Sequence, residues 1–362
     1  MTDVLMYADT LRSPDLRHII SIPIGDAFPF VERDGKPTAF VHAVEEPRVR
    51  ALGGIDVVTY GELGLAELTE QGFSYHAARI ELLVRACRHA GITEATVPED
   101  FPLGAAERLR REGIAVIPDT ALFAQRRRAK SPGEIEGVRR AQAATIRAMT
   151  AIRDGARAGG DVSSESLRAA ARRATADDSV IPEYMIVAHG AQAASVHDEG
   201  TGPIAQGECI VVDLGLRDVE SGCWSDMTRT FCIGTPPQEL VDYHAACMEV
   251  HEKVVPLIRP GFSAAELHRL SDEIIAAHGY PTILTAGAGI SEGYFHTLGH
   301  GVGLEIHEGP SLAPNGESLV AGDIITIEPG IYRAGFGGCR IEDLILVTED
   351  GYENLTDFPY EL

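Results

Sequence analysis

Acidic residues interrupt the most apolar segments in the second half of the chain. Asp213 follows three aliphatic residues and Glu328 follows the run Ile324–Ile327, so we predict that each of them ends a strand. Asp226 and Glu342 stand near the start of two further strand-like runs. An ionised carboxylate among valine and isoleucine side chains is costly unless it is paired or binds a cation. Any fold of this chain must therefore provide partners for these acids, and the simplest partner is a shared cation.

The same half of the chain contains an internal duplication. Each copy has two helices followed by strands, and the first helices are predicted near residues 133–153 and 237–258. The second helix begins at Ser163 or Ser164 in the first copy and at Ser263 in the second. This order predicts a pseudo-twofold domain with a curved sheet backed by helices, and a site between the two halves.

Alternation along a strand predicts a polar neighbour for two of the acids. Asp226 and Thr228 are two residues apart and share a strand face, as do Arg340 and Glu342. Such neighbours can orient a metal ligand. A single acid before a turn would more simply cap that turn, but several acids in a duplicated unit favour a cation site.

A glycine-rich segment supplies imidazoles to the same region. It contains His296, His300 and His307, with glycines at 299, 301 and 303. Alternate glycines oppose a helix and let the backbone approach another group closely. Divalent transition metals accept imidazole nitrogen as a ligand.

Charge counting predicts the metal content and the chemistry. Four carboxylates balance two divalent cations, and two such ions about 3.5 to 4 Å apart can activate a water and polarise a carbonyl. The sequence contains no G-x-S-x-G, H-E-x-x-H or Walker motif that would offer a competing mechanism. We therefore predict a hydrolase.

The first 129 residues are predicted to form a separate α/β domain. Short strand-like runs such as Ala39–Val41 and Ile114–Ile117 alternate with helical patterns such as Tyr75–His89. The basic segment Gln125–Lys130 is interpreted as a solvated linker, because a capping box at Ser131–Glu134 starts a new helix directly after it. The predicted domains are residues 1–129 and 130–362.

Composition excludes two classes of partner. The chain has 31 Lys and Arg against 54 Asp and Glu, for a net charge of -23, which repels the phosphates of nucleic acids. No apolar run approaches the roughly 20 residues of a membrane span, and the first residues do not resemble a secretory signal. The six cysteines form no C-x-x-C pair. We expect a cytoplasmic protein that binds neither nucleic acid nor a membrane.

Five segments, in order, carry a resemblance to a known family. They are VVDLG, SDMTRTF, GHGVGLEIHE, ITIEPGIY and RIEDLILV, and they resemble the creatinase, aminopeptidase P and prolidase branch of the M24 metallopeptidases over residues 131–362. The resemblance implies an α/β (α+β) protein, with a creatinase-like N-terminal domain and a pita-bread catalytic domain. It also implies a homodimer and two divalent ions, which would be Mn²⁺ or alternatively Co²⁺, Zn²⁺ or Fe²⁺. The metal ligands that it implies are Asp213, Asp226, His300, Glu328 and Glu342.

The same resemblance implies roles in catalysis and substrate binding. His197 would lie beside the scissile bond, and Glu328 would help to deprotonate the attacking water. His307 would stabilise the oxyanion. His296 would contact the substrate, and Arg340 would either orient Glu342 or bind the end of the substrate.

The leading hypothesis is hydrolysis of the Xaa-Pro bond of dipeptides, or removal of the N-terminal residue of Xaa-Pro peptides. The segment Ser21–Asp26 lacks the tyrosine-rich sequence that is usual in Xaa-Pro peptidases. This departure leaves an alternative, a metal-dependent hydrolase or lyase of the same fold that acts on a small osmolyte-like molecule. A third hypothesis, a binding module without metals, is opposed by the complete ligand set and by the acidic composition.

Overall fold

The computed structural model describes residues 2–287 and 289–362, and it divides into two units, Met1–Arg127 and Arg128–Leu362. The division lies two residues from the predicted boundary. Each unit buries its own apolar core. None of the helices in the described part of the chain has the length and apolar character that a bilayer crossing requires.

The first unit is built around a single mixed sheet. Its strands are β1 (Val4–Ala8), β2 (Phe28–Arg33), β3 (Lys36–Val41), β4 (Asp56–Thr59), β5 (Glu94–Val97) and β6 (Ala115–Pro118), and its helices are α1 (Pro14–Ile19), α2 (Glu46–Arg50), α3 (Leu65–Glu70), α4 (Tyr75–Ala90), α5 (Leu103–Arg111) and α6 (Thr120–Arg128). The strand order is β4-β3-β2-β1-β5-β6. β1, β2 and β3 pair antiparallel, and the other neighbours pair parallel. The strands predicted at Ala39–Val41 and Ile114–Ile117 correspond to β3 and β6.

Local sequence explains the boundaries of these elements. The turn between β2 and β3 has positive φ angles at Asp34 (51°) and Gly35 (73°), as a tight two-residue hairpin turn requires. The side chain of Ser74 accepts a hydrogen bond from the Ala77 backbone N–H and caps α4. That helix ends at Gly91, whose φ of 69° is favourable for glycine.

The interpretation of Gln125–Lys130 as a solvated linker is wrong. The helix α6 continues to Arg128, and two of the basic side chains are buried in ion pairs within the second unit. Arg128 Nη2 lies 2.6 Å from Asp323 Oδ2, and Lys130 Nζ lies 2.5 Å from Glu308 Oε1. The prediction failed because the acidic partners of these basic residues lie far away in the sequence and come close only in the folded protein.

The first half of the second unit pairs two helices with a three-stranded antiparallel sheet. Its elements are α7 (Pro132–Arg157), α8 (Ser164–Ala174), β7 (Val180–His189), a 3₁₀ helix (Gly190–Ala194), β8 (Cys209–Asp218) and β9 (Met227–Cys232), and the strand order is β7-β8-β9. Ser131 and Glu134 form the predicted capping box of α7, and Ser163 caps α8.

The second half repeats the order of helices and strands. Its elements are α9 (Gln238–Val254), a 3₁₀ helix (Val255–Leu257), α10 (Ala264–Ala277), α11 (Ile283–Ala286), β10 (Gly299–Gly301), β11 (Glu308–Leu312), β12 (Ile324–Ile327), β13 (Gly330–Arg333), β14 (Gly337–Arg340), β15 (Asp343–Val347) and β16 (Tyr352–Asn354). One sheet has the order β11-β10-β12-β15-β16, and β13 and β14 form a separate hairpin.

The duplication explains where the acids lie. Thr228 of β9 pairs with Asp213 of β8, and Asp343 of β15 pairs with Ile327 of β12, so the two halves present equivalent antiparallel pairs. Glu328 directly follows β12, as predicted. The prediction that Asp213 ends a strand is wrong, because β8 continues to Asp218 along further buried positions and stays paired with β7.

Alternate residues of β8 pack on opposite sides of its sheet. Ile210, Val212 and Leu214 belong to the apolar cluster that includes residues of α7 and α8. Cys209 and Val211 belong to the cluster that includes residues of α9 and α10. The period of two assigns Asp213 to the same face as Cys209 and Val211.

Candidate active site

All of the site residues predicted from the sequence line one cavity of the second unit, with a volume of about 270 Å³. They are His197, Asp213, Asp226, His296, His300, His307, Glu328, Arg340 and Glu342. Tyr184, Val196, Thr297 and Ile306 complete the lining. The structure therefore brings together residues that are spread over almost 150 positions of the chain.

Three of the predicted ligands form the tightest group. Asp226, His300 and Glu342 each offer one ligand atom, and these atoms all lie within 4.8 Å of one another. Asp226 directly precedes β9, Glu342 directly precedes β15, and His300 is the middle residue of β10. The Glu342 backbone N–H donates to the carbonyl of Thr228 at 3.0 Å, which ties the two acid-bearing segments together.

The glycines around His300 allow a close approach of backbones. A Cβ added at Gly299 would lie 2.1 Å from the carbonyl oxygen of Thr326, and one at Gly301 would lie 2.2 Å from that of Gly309. The backbone of β10 therefore approaches the backbones of β11 and β12 closely, as expected from the glycines.

The other two predicted ligands extend this group. Glu328 Oε1 lies 3.3 Å from His300 Nε2 and accepts a hydrogen bond from Thr326 Oγ1. Asp213 Oδ2 lies 2.5 Å from Arg340 Nη2. Asp213 Oδ1 is buried, and among the residues that the structure describes it finds no hydrogen-bond partner. A buried oxygen without a partner is costly, and a bound cation would satisfy it.

The electrostatics of the carboxylates also favour a bound cation. Burial raises the pKa of Asp226 and Glu342 well above the ordinary range, and the neighbouring carboxylates raise them further. Burial, together with the smaller effect of Asp213, raises the pKa of Glu328 to about 8 against the opposing effect of Arg340. Four oxygen donors and one imidazole are a suitable ligand set for divalent first-row metals. The residues present thus fit a metal centre.

His296 and His300 are neutral at physiological pH. Burial lowers the pKa of His300 to about 4 and that of His296 to about 3. Burial also lowers the pKa of His307. His300 Nδ1 lies 3.1 Å from the carbonyl of Gly301 and donates to it if that nitrogen carries the proton. In this tautomer the lone pair of Nε2 is available on the side of Asp226 and Glu328.

Arg340 organises one wall of the cavity from a buried position. Its Nη1 donates to the hydroxyl of Tyr332 at 2.9 Å, and its Nε donates to Thr228 Oγ1 at 3.2 Å. Thr228 Oγ1 in turn donates to Glu342 Oε2 at 2.7 Å. The polar neighbour of Glu342 therefore comes from the adjacent segment across the site, and Arg340 acts on Glu342 through Thr228.

Three histidines border the acid group. The rings of His307 and His300 stack edge to face, with centroids 4.3 Å apart. His296 Nε2 lies 3.1 Å from the Tyr332 hydroxyl, which also accepts from Arg340. His197 lines the cavity beside Val196.

Two tyrosines contact the site residues without having been predicted from the sequence. Tyr332 bridges His296 and Arg340, and it lies in the segment ITIEPGIY that the family resemblance had already singled out. Tyr184 lines the cavity from β7, where it pairs with Gly215, two residues after Asp213. Only the register between β7 and β8 reveals this proximity, and the β7 sequence carries no signal of it.

Known proteins resemble this chain in sequence and in structure. Residues 136–349 match the model of Metallopeptidase family M24. Over 179 residues the chain is 37% identical to the Xaa-Pro dipeptidase of Pyrococcus furiosus, covering 49% of this chain and 48% of that protein. The match thus spans about half the length of this curated relative.

Solved structures extend the comparison to almost the whole chain. The prolidase from Pyrococcus horikoshii OT3 superposes with a TM-score of 0.78 at 25% identity, covering 99% of this chain and 94% of that one. The Xaa-Pro dipeptidase from Bacillus anthracis superposes with a TM-score of 0.80 at 25% identity, covering 100% and 94%. These likenesses confirm the predicted fold class, a mixed α/β protein with a pita-bread catalytic domain.

Proposed function

Because the chain belongs to metallopeptidase family M24, we propose that it hydrolyses the Xaa-Pro bond of small peptides with two divalent metal ions bound in the cavity. The family predicted from the five sequence segments is confirmed by this membership. The observation that carries the proposal is the convergence of four buried carboxylates and a neutral imidazole on one cavity. The names of the relatives favour a peptide over the osmolyte-like alternative.

Asp213, Asp226, His300, Glu328 and Glu342 would hold the ions. Their fit rests on the raised pKa values of three of the acids and on the unpartnered Oδ1 of Asp213. When bound, two divalent ions supply Lewis acidity toward the scissile carbonyl and lower the pKa of a coordinated water. Mn²⁺ is the proposed metal, with Co²⁺, Zn²⁺ or Fe²⁺ as alternatives.

The protein's own residues then manage protons and charge. Glu328 accepts a proton from the attacking water. His307 is neutral at pH 7, so its N–H can donate to the oxygen that becomes negative in the transition state. His197 is proposed to stand next to the scissile bond, where it can assist proton transfer to the departing nitrogen.

Substrate binding is assigned to the wall that His296 and Arg340 line. The guanidinium of Arg340 and the imidazole of His296 meet at the Tyr332 hydroxyl, so both lie at one side of the cavity. A cation with adjacent polar donors suits a carboxylate. We therefore propose that this wall binds the free carboxylate of a dipeptide.

The chemistry also suits a bond that precedes proline. The Xaa-Pro nitrogen carries no hydrogen, so a peptidase cannot recognise an N–H at that position. A site that acts on the carbonyl oxygen does not need this contact. Proline specificity is thus compatible with the donors that line the cavity.

Hydrolysis of Ala-Pro, Ala-Pro-Ala and Ala-Ala at equal concentration by metal-reconstituted protein tests the proposal. We expect Ala-Pro to be cleaved fastest. Faster cleavage of Ala-Ala would contradict the proline specificity, and faster cleavage of Ala-Pro-Ala would indicate an aminopeptidase. No cleavage of any of the three by protein that holds two metal ions would refute the proposed peptidase activity.

Three finer points belong to the same proposal. Elemental analysis of protein purified without added metal tests the identity of the ion as Mn²⁺. Sedimentation equilibrium tests the homodimer, and fractionation of the source cells tests the cytoplasmic location.

A further inference from the structure

A buried ion pair outside the cavity joins the start of α7 to the segment that carries His307. Lys130 Nζ lies 2.5 Å from Glu308 Oε1, and the two side chains are only 2% and 3% exposed. Lys130 stands two residues before α7, and Glu308 directly follows His307. More than 170 residues of chain separate the partners, so the contact is purely tertiary.

The segment that holds His307 has little regular structure of its own. Strand β10 ends at Gly301 and β11 begins at Glu308, and the register of their pairing shifts between His300 and Gly301. Residues 302–307, which all lie within the described part of the chain, belong to no helix or strand. A strand ladder therefore does not fix the direction of the His307 side chain.

The carboxylate of Glu308 holds this segment from within. Its Oε2 accepts a hydrogen bond from the Glu305 backbone N–H at 3.3 Å, and the N–H of Gly303 donates to the carbonyl of Glu305 at 3.0 Å. Its other oxygen, Oε1, faces Lys130. One side chain thus connects the bend to a cation on a different element.

The fit around the ion pair is close. A Cβ added at Gly303 would lie 2.5 Å from Glu308 Oε1 and 2.6 Å from Lys130 Cε. Both partners therefore pack directly against the α-carbon of Gly303, and neither can move toward it. Any side chain at position 303 would displace the pair.

A buried ion pair is weak evidence for stability, because desolvation offsets its attraction, but removal of one partner leaves an uncompensated charge. We propose that Lys130 is a positioning residue: its ammonium group pairs with Glu308 and so fixes residues 303–307 in the conformation that presents His307 to the cavity. This inference rests on the proposed function, because that function assigns His307 its role in catalysis.

A test of this role compares Lys130→Met with a control from the same junction. Arg128→Met removes another buried cation, which pairs with Asp323 and Glu317 and donates to the carbonyl of Ser318. With Ala-Pro as substrate, we expect Lys130→Met to lower kcat by about 10-fold or more while metal content is retained, since the work of His307 is itself worth roughly 10² to 10⁴. Arg128→Met should lower the Tm without a comparable fall in kcat.

The double variant Lys130→Met/His307→Ala distinguishes a positioning role of Lys130 from a general loss of folded structure. If Lys130 acts through His307, Lys130→Met should cost almost nothing further in the His307→Ala background. An equal loss in both backgrounds would overturn the proposal. If Lys130→Met does not fold, Gly303→Ala takes its place, because it displaces the same pair with both charges present and should show the same dependence on His307.

Hydrogen–deuterium exchange gives a readout that does not need activity. Peptides that span residues 303–308 should exchange faster in Lys130→Met than in the wild type, and at the wild-type rate in Arg128→Met. Unchanged exchange in Lys130→Met would refute the positioning role even if the wild type cleaves Ala-Pro. If Lys130→Met exchanges faster than the wild type but the wild type does not cleave Ala-Pro, the result would support the contact and refute the proposed function.

Discussion

Removal of the metal ions should make the stability of the protein fall as pH rises above 7. When no metal is bound, burial raises the pKa of Glu328 to about 8 from an ordinary value of 4.5. A carboxyl group whose folded pKa is raised stabilises the fold fully below its unfolded pKa, and this stabilisation is lost as pH rises through the folded pKa. Asp226 and Glu342 are shifted in the same direction and for the same reason.

The histidines define the pH window for the measurement. Burial lowers the pKa of His296 to about 3 and that of His300 to about 4, so each is neutral in the folded protein. Their contribution is present above the unfolded pKa of 6.5 and is lost as pH falls below it. Above pH 7 they are neutral in both states, so the acids dominate there.

The expected change in the free energy of unfolding follows from the linkage between proton binding and stability. For a shift from 4.5 to about 8, the stabilisation by Glu328 falls by about 1 kcal/mol between pH 7 and pH 8, of a total near 5 kcal/mol over the full titration. Added Mn²⁺ should reverse the trend, because its ligands must be deprotonated. At 100 times its Kd it adds about 2.7 kcal/mol, and the gain should be larger at pH 8 than at pH 7.

Urea unfolding of chelator-treated protein at pH 7, 7.5 and 8 measures this effect. Glu328→Gln removes the titrating group and should flatten the decrease by about 1 kcal/mol. Glu361→Gln is the matched control, since that side chain is 68% exposed and pairs with Arg157 at the surface. A metal-free stability that stays constant or rises from pH 7 to 8, or a Glu328→Gln variant with the wild-type slope, would refute the reasoning.

Further outcomes are expected from substitutions in the cavity. Asp226→Asn and Glu342→Gln should each abolish hydrolysis and reduce bound metal measured by elemental analysis, because each removes a charged ligand; full activity at wild-type metal content would contradict the ligand assignment. His197→Ala and His307→Ala should retain metal while kcat falls by roughly 10² to 10⁴; metal loss in proportion to activity would instead identify them as ligands. Arg340→Lys should raise the KM for Ala-Pro more than that for Ala-Pro-Ala, because a lysine keeps the charge and loses the fork of donors; equal changes would argue against recognition of a dipeptide carboxylate.

Local signals were enough to predict much of the fold. The capping box at Ser131 and Glu134 and the serine cap of α10 act within one helical turn, so neighbouring residues suffice to recognise them. Strand alternation and turn residues act over similarly short distances. The order of two helices and strands, repeated twice, could therefore be read directly from the chain.

The acids of the cavity were also visible in the sequence, because a carboxylate inside an apolar strand needs a partner wherever that strand lies. What the sequence could not supply was the identity of each partner. Thr228 donates a hydrogen bond to Glu342, which lies 114 residues away in the chain. Tyr184 is brought to the site only by the pairing of β7 with β8. These contacts depend on strand register, to which residues from both strands contribute equally.

Residue type and short-range spacing were therefore enough to indicate most of the helices and strands, the family and the set of chemically active side chains. The folded protein was needed to show that Asp213 lies inside a continuing strand, that Arg340 reaches Glu342 through Thr228, and that Arg128 and Lys130 before α7 are buried. The pairing of Lys130 with Glu308 shows the physical reason. An ion pair between residues so far apart in the chain has no local signature, because its partners meet only when the sheets and helices between them have packed.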